Sequence, residues 1–221
     1  MTKNPPRKSK ISQKEALAVF DTLCELYPNP KTELIYDGPF QLLIAVILSA
    51  QCTDAQVNKA TPALFQTFPS PEALMKAQLQ KVEKLVHSCG FYRSKAKAII
   101  KTATDIVEKF NGKIPNTLEE LTTLAGVGRK TASVVLNQAF DIPAIAVDTH
   151  VLRVSQRLGW ALTDTPEKVE MELRALLPEE LWGAVNGTLI LHGRKICKAR
   201  KPQCEACPVR DDCRFYQTSP R

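Results

Sequence analysis

The chain has 221 residues, of which 44% are hydrophobic, so it is long enough to bury one large core or two smaller ones. Its 30 lysines and arginines outnumber its 23 aspartates and glutamates, for a formal net charge of +7. This excess favours a polyanionic partner, although ribosomal and membrane-surface proteins share it. The longest apolar run, residues 42–50, is too short to cross a bilayer, and no apolar region follows the basic residues 1–10. We therefore expect a soluble intracellular protein with a short disordered N-terminal arm.

Helical signals follow one another along the chain. Ser12 and Glu15 form a capping box, and apolar residues then recur at helical spacing up to Pro28. Residues 39–50 are apolar on every side, which fits a buried strand or a buried helix; helix is favoured because no partner strand is evident and Pro39 suits a first helical turn. Further helices are predicted at 54–68 with a break or kink at Pro62, between Ser70 and Gly90, from Ser94 to Phe110, at 130–140, at 149–158, after Thr165, and from Pro178 to near Ile196. The sequence thus predicts an all-α protein of about ten helices.

Residues 124–132 open one of these helices with two glycines, a lysine and no acidic residue. Gly126 and Gly128 can adopt backbone angles closed to other residues and let a phosphate approach the main chain at a helix N-terminus. Because Thr117 and Glu120 form a capping box for a short preceding helix, the pattern predicts a helix, a glycine hairpin and a second helix. An ordinary helix connection fits the same glycines. A P-loop is excluded, since G-V-G-R-K-T lacks the required spacing.

Four of the seven cysteines crowd the C-terminal region. They are Cys197, Cys204, Cys207 and Cys213. Such a set can bind zinc or an iron-sulfur cluster, but structural zinc sites usually use two close pairs, and only the middle two cysteines form one here. The spacing therefore favours a four-iron cluster over zinc. The odd cysteine count and the scatter of the other three argue against a disulfide scaffold.

Basic residues surround the first of these cysteines. They are Arg194, Lys195, Lys198, Arg200 and Lys201. Metal ligands at both ends would turn residues 198–203 into a fixed loop and its cations into a phosphate-binding surface. A solvated run of charge is the alternative interpretation.

Two residues at predicted helix starts could take part in chemistry. Asp148 suits the N-cap of the helix that follows, and this role is complete in itself, but it is also a candidate catalytic carboxylate. Lys130 lies in the first turn after the glycine hairpin and is a candidate nucleophilic amine. The residue pattern is compatible with a catalytic role for each residue, but equally with Asp148 as a simple N-cap and Lys130 as an ordinary residue of a first helical turn.

Four motifs together closely resemble the endonuclease III family of helix-hairpin-helix DNA glycosylases and abasic-site lyases. They are residues 48–54, residues 124–132, residues 147–150 and the cysteine quartet. The order and spacing of these motifs are very specific, and the resemblance covers nearly the whole chain apart from about the first ten residues. Ala125 departs from the family pattern, which usually has proline there, so the hairpin is expected to be less rigid.

The resemblance implies a two-domain helix-hairpin-helix glycosylase fold. Residues 32–142 would form a six-helix domain that carries the hairpin. Residues 1–31 and 143–221 would form a cluster domain, with a [4Fe–4S] cluster in the loop at 197–213. The four C-terminal cysteines match the cluster ligands of the family.

The resemblance also assigns site residues. Lys130 matches the nucleophile that attacks C1′ of the damaged nucleoside, and Asp148 matches the carboxylate that assists it as a base or as an electrostatic stabiliser. Gln51 and Phe91 match the side chains that enter the gap left by an everted nucleotide. The implied DNA-backbone contacts are Gly126, Val127, Gly128, Arg129, Lys198, Arg200 and Lys201.

The implied function is base-excision repair. The protein would remove oxidised pyrimidines from double-stranded DNA through a lysine Schiff base and nick 3′ to the abasic site by β-elimination. We expect a monomer in the bacterial cytoplasm, at the nucleoid. The adenine glycosylase branch lacks the hairpin lysine and usually has a further C-terminal domain, so Lys130 and the chain end at Arg221 argue against it. A non-catalytic DNA-binding module is disfavoured by the presence of both Lys130 and Asp148.

Overall fold

A computed structural model describes residues 11–28, 30 and 32–218, and the arm predicted at residues 1–10 lies outside them. The described residues form twelve α-helices and two short 3₁₀ helices without any β-strand, which confirms the all-α prediction. No helix in this part of the chain is long and apolar enough to span a membrane. The described residues divide into two compact units, one within residues 1–31 and 143–221 and the other within residues 32–142.

Short connections join the helices along the chain. The α-helices are α1 (Gln13–Leu26), α2 (Gly38–Ser49), α3 (Asp54–Thr67), α4 (Pro71–Met75), α5 (Leu79–Leu85), α6 (Tyr92–Phe110), α7 (Leu118–Thr122), α8 (Arg129–Phe140), α9 (Thr149–Leu158), α10 (Pro166–Leu176), α11 (Trp182–Lys195) and α12 (Arg214–Thr218), with 3₁₀ helices at Glu179–Leu181 and Cys204–Ala206.

Helix α2 is the core of the unit at residues 32–142. Every residue from 42 to 48 is buried, because the helix contacts α3, α6 and α8. A helix surrounded in this way has no solvent-facing stripe, which explains why its sequence is apolar on all sides. The choice of helix over strand for this segment is therefore confirmed. Helix α3 begins with Thr53, whose Oγ1 accepts from the Gln56 amide, and it continues without a break through Pro62.

Two boundaries in this unit differ from the sequence prediction. The single helix expected between Ser70 and Gly90 is wrong, because the chain leaves the helical conformation after α4 and Gln78 is extended at the start of α5. Helix α6 begins at Tyr92 rather than after Ser94, because Phe91 makes the preceding turn in a left-handed conformation. The predicted end of this helix at Phe110 is confirmed, and Asn111 caps it in a left-handed conformation.

The other unit packs α1 with α9, α10 and α11. Phe20 and Trp160 are both buried in its core, with ring centroids 6.1 Å apart in an edge-on arrangement. The capping box at the start of α1 is confirmed: the Glu15 amide donates to Ser12 Oγ at 3.3 Å, and the Ser12 amide donates to Glu15 Oε2 at 2.9 Å. This core positions the start of α9 and the end of α11, where the candidate site residues of this unit lie.

Candidate functional site

The glycine hairpin joins α7 to α8, and its two glycines serve different structural purposes. Gly126 has φ +74°, and a Cβ at this position would lie 3.1 Å from Ala98 Cβ and 3.5 Å from Ile47 Cγ2. Gly128 instead has φ −88° and forms the extended N-cap of α8, where an added Cβ would meet nothing within 4 Å. The first glycine is therefore required by the backbone turn, whereas the second leaves the helix N-terminus open to an approaching group.

The hairpin is anchored to the long helix α6. Thr102 is fully buried on α6, and its hydroxyl donates to the carbonyl oxygen of Ala125. Val127 is buried, and its amide donates to the Leu124 carbonyl at 3.1 Å. These contacts hold the turn around Ala125, the position where the family usually has proline. Lys130 is exposed in the first turn of α8, directly after the hairpin.

Gln51 and Phe91 occupy two neighbouring turns of the same unit. Both side chains are exposed, and both residues have left-handed backbones, with φ of 51° and 56°. A Cβ at Gly90 would lie 3.4 Å from the Gln51 carbonyl oxygen, so the two turns touch. A left-handed backbone costs a residue with a side chain about 1–2 kcal/mol, and such strain clusters at functional sites.

Asp148 is the N-cap of α9, as predicted. Its Oδ1 accepts from the amides of His150 and Val151, both at 2.8 Å. Within the described residues, Oδ2 makes no hydrogen bond to the protein. The carboxylate is half-buried, so capping occupies one oxygen and leaves the other available for a second role.

The four C-terminal cysteines line one cavity, together with Arg157 and His192. Burial raises the pKa of Cys207 to about 11 and raises the pKa values of Cys204 and Cys213. These thiols would stay protonated in the cavity unless a cationic group displaced their protons, as iron does when it binds thiolates. Only Cys204 and Cys207 form a close pair, and this spacing fits a multi-iron cluster better than one zinc ion.

Arg157 holds the basic loop beside this cavity. Its Nη1 donates to Cys197 Sγ at 3.4 Å and to the Lys198 carbonyl at 2.8 Å, while Nη2 donates to the Ala199 carbonyl at 3.1 Å. The loop is closed at its far end by the Gln203 amide, which donates to the Ile196 carbonyl at 3.0 Å. The predicted DNA contacts within this loop are all exposed. They are Lys198, Arg200 and Lys201.

Arg153 joins the start of α9 to the end of α11. Its Nε donates to the Cys197 carbonyl at 3.1 Å, and its Nη2 donates to the Gly193 carbonyl at 3.0 Å and lies 3.1 Å from His150 Nδ1. Several effects act on the pKa of His150, and the largest of them is burial, which lowers it. The lowered pKa favours a neutral ring that accepts from the guanidinium. Arg153 Nη1 also donates to the Thr149 carbonyl at 3.4 Å, so one side chain contacts both the backbone next to Asp148 and the backbone of Cys197.

Sequence reasoning missed both arginines. Arg153 and Arg157 are four residues apart on α9, a spacing that puts them on one helix face, and α9 contains no acidic residue to pair with them. A basic pair without an acidic neighbour, on a helix that starts at a candidate catalytic residue, is the signal that could have revealed them.

Comparison with known proteins accounts for this arrangement. A model of the HhH-GPD superfamily base excision DNA repair proteins matches residues 44–179, and a model of the iron-sulfur binding domain of endonuclease III matches residues 197–213. Endonuclease III of Synechocystis sp. is 47% identical over 214 residues, which cover 96% of this chain and 98% of the relative. The chain belongs to the endonuclease III family. Endonuclease III of Escherichia coli is 44% identical, with 94% of this chain and 98% of the relative covered.

A solved structure also matches this chain over most of its length. It is that of a trapped covalent intermediate between an endonuclease III and DNA, with a TM-score of 0.88, 43% identity, and 94% of this chain and 98% of that chain covered. Membership of the endonuclease III family makes the chain a base-excision DNA glycosylase and abasic-site lyase with a C-terminal [4Fe–4S] cluster. The predicted cluster is confirmed, and neither the adenine glycosylase branch nor a non-catalytic module is supported.

Proposed function

We propose that this family member removes oxidised pyrimidines from duplex DNA and then cleaves the strand 3′ to the abasic site. The observation that carries the proposal is the hairpin, which presents an open helix N-terminus at Gly128 and an exposed amine at Lys130 two residues later. Phosphate binding at the helix N-terminus would fix the DNA backbone, and the amine would then lie beside the bound strand.

Lys130 is the nucleophile in this proposal. Its amine displaces the damaged base at C1′ and forms a Schiff base with the opened sugar; loss of a proton from C2′ then expels the 3′ phosphate. The relative trapped as a covalent DNA intermediate supports a covalent route. Asp148 uses Oδ1 as a cap, so Oδ2 can accept the amine proton or stabilise positive charge at C1′.

In this proposal, Gln51 and Phe91 fill the space that the everted nucleotide leaves in the DNA duplex. A base inside duplex DNA is unreachable, so the nucleotide must swing out, with an unstacking cost of a few kcal/mol that is smallest for a lesion that pairs poorly. Two exposed side chains suit this insertion, because they lie on turns that contact each other and both have left-handed backbones.

The remaining contacts position the DNA backbone without reading its sequence. The residues proposed for this role are Gly126, Val127, Gly128, Arg129, Lys198, Arg200 and Lys201. Contacts of this kind follow the phosphates, which suits an enzyme that must search all DNA. Cys197, Cys204, Cys207 and Cys213 would hold the cluster, which supplies a structural core that fixes the basic loop. We further propose that the protein acts as a monomer in the bacterial cytoplasm, at the nucleoid.

Borohydride trapping tests the nucleophile. Wild type, Lys130→Gln and the control Lys113→Gln, an exposed lysine of the same unit, are mixed with duplex DNA carrying one abasic site and then reduced. We expect a covalent complex with wild type and the control and none with Lys130→Gln, while Lys130→Gln binds DNA nearly as well as wild type. Trapping of Lys130→Gln at the wild-type yield would refute the assignment of Lys130.

The substrate is tested separately. Single-turnover excision is measured on duplexes that carry an oxidised pyrimidine, an oxidised purine or no lesion. We expect excision only of the oxidised pyrimidine. Equal excision of the oxidised purine would contradict the proposed substrate class while leaving the lysine chemistry intact.

A further inference from the structure

Lys95 is a buried lysine to which the proposed mechanism gives no role. It lies in the first part of α6 with 7% of its surface exposed, and its Nζ donates to the Leu48 carbonyl oxygen at 2.8 Å. Burial of an ammonium is costly, so a lysine in this position must be offset by a specific polar partner. Its partner is the main chain of another helix.

The Leu48 carbonyl lies at the C-terminal end of α2. The carbonyls of a final helical turn lack the usual amide partners and carry the negative end of the helix dipole. Those on either side of Leu48 are satisfied locally, since Ala50 donates to Ile47 at 3.4 Å and Cys52 donates to Ser49 at 3.0 Å. Lys95 satisfies the Leu48 carbonyl and thereby fixes the point where the chain enters the turn at Gln51.

Lys95 is tied to the second turn through its own backbone. Its amide donates to the Phe91 carbonyl at 3.1 Å, which is the bond that starts α6 after the left-handed residue. One residue therefore contacts the segment before Gln51 with its ammonium and the Phe91 turn with its amide. These are the same two turns that approach each other at Gly90 and the Gln51 carbonyl.

We propose that Lys95 is a positioning residue for nucleotide eversion, because it holds the Gln51 turn and the Phe91 turn in register with each other before DNA binds. The inference rests on the proposed insertion of Gln51 and Phe91 into the helix. Loss of the ammonium leaves the Leu48 carbonyl without its donor and releases the end of α2. The two turns then relax independently, and binding energy that would open the DNA is consumed in ordering them.

This role separates two substrates. Excision of a base from duplex DNA requires eversion, whereas cleavage at an abasic site in single-stranded DNA requires only Lys130 and its surroundings. Lys95→Met keeps the aliphatic stem and removes the charge, so it should slow duplex excision about tenfold, equivalent to about 1.4 kcal/mol. It should leave single-stranded lyase activity within about twofold of wild type. Lys95→Arg keeps a cationic donor and should recover most of the duplex rate.

The experiment measures single-turnover rates on both substrates for wild type, Lys95→Met, Lys95→Arg and the control Lys97→Met, an exposed lysine on the same helix. A 2-aminopurine base opposite the lesion reports unstacking by its fluorescence. We expect a slower fluorescence rise for Lys95→Met and a wild-type rise for Lys97→Met. If Lys95→Met does not fold, Lys95→Arg carries the test, with a smaller loss confined to the duplex substrate.

Two results would overturn the inference: an unchanged duplex rate, or equal losses on both substrates, which would mean a general structural role. A double-mutant cycle sharpens the test, since Lys95→Met should add little to a variant that already lacks both the Gln51 and Phe91 side chains. Full additivity would show that Lys95 does not act through them. Failure of the proposed function is distinguishable, because wild type itself would then give no trapped complex.

Discussion

The two hairpin glycines allow conformation and access to be tested separately. Gly126→Ala places a side chain on a left-handed residue, at a cost of about 1–2 kcal/mol, and forces its Cβ to within 3.1 Å of Ala98 Cβ. Since Ala98 is on α6 and cannot rotate its methyl away, part of that contact must be relieved by a shift of the hairpin. We expect a total loss of about 2 kcal/mol in the free energy of unfolding.

Gly128→Ala should behave differently. Its φ of −88° is open to alanine and no atom lies within 4 Å of the new Cβ. The only structural cost is that alanine is a poorer N-cap than glycine, a loss of about 0.5 kcal/mol. The methyl group would instead stand where a phosphate is proposed to approach the first amides of α8, so the dissociation constant for abasic duplex should rise about tenfold, or about 1.4 kcal/mol.

Thermal unfolding and DNA titration at fixed salt distinguish the two variants. Gly126→Ala should lower the melting temperature by about 4–8 °C, and Gly128→Ala by no more than about 2 °C, given the usual entropy of unfolding for a chain of this size. A wild-type melting temperature for Gly126→Ala would refute the argument from its backbone angle. Wild-type affinity for Gly128→Ala would refute phosphate approach at this glycine.

The other predictions concern the anchors of the site. Asp148→Asn retains a capping oxygen and should keep the wild-type melting temperature, whereas Asp148→Ala should lose about 1 kcal/mol of stability. Both variants should slow single-turnover excision at least about a hundredfold. A wild-type excision rate for Asp148→Asn would show that Asp148 serves only as a helix cap. Thr102→Val leaves the Ala125 carbonyl without its donor and should cost about 1–2 kcal/mol in urea unfolding; no loss would mean that the hairpin is held by other contacts. Arg157→Met releases the Lys198 and Ala199 carbonyls, so it should weaken DNA binding. The slope of log affinity against log salt should become smaller in magnitude by roughly 0.9 for each phosphate contact that is lost. An unchanged slope in a variant with full cluster absorbance would show that Arg157 is not needed to hold the basic loop.

Local signals in the sequence were sufficient for most of the helices. The capping box at Ser12 and the helix end at Phe110 lie within a few residues of the structure that they specify. The segment between Ser70 and Gly90 was mispredicted because Pro71 gives a strong helix start, while nothing near Lys76 gives a comparable stop. Only the packing of α4 against α6 and of α5 against α3 and α6 explains why this segment is divided.

Features that chemistry ties to a residue type can be recognised in the sequence, whereas the partners of side chains that support the main chain cannot. Cysteine spacing and the glycine hairpin restrict the possible residues closely, so they can be recognised without a structure. Lys95, Arg153 and Arg157 instead donate to carbonyl oxygens distant in sequence, and every residue of a chain offers such an acceptor. No pattern of residue types identifies which carbonyl is used, because that depends on where one helix ends beside another.

The supporting arginines have a consequence for how the cluster region and Asp148 depend on each other. Asp148 caps the first turn of α9, Arg153 fastens the next turn to the Cys197 carbonyl, and Arg157 fastens the following one to the basic loop. A ten-residue helix is stiff over this length, so a shift of the Cys197 segment cannot be absorbed by α9 without moving its N-terminus. The loop that is proposed to hold DNA phosphates and the carboxylate that is proposed to act at the sugar therefore share one rigid support. Disorder in the cluster loop should for this reason lower the rate of excision as well as the affinity for DNA.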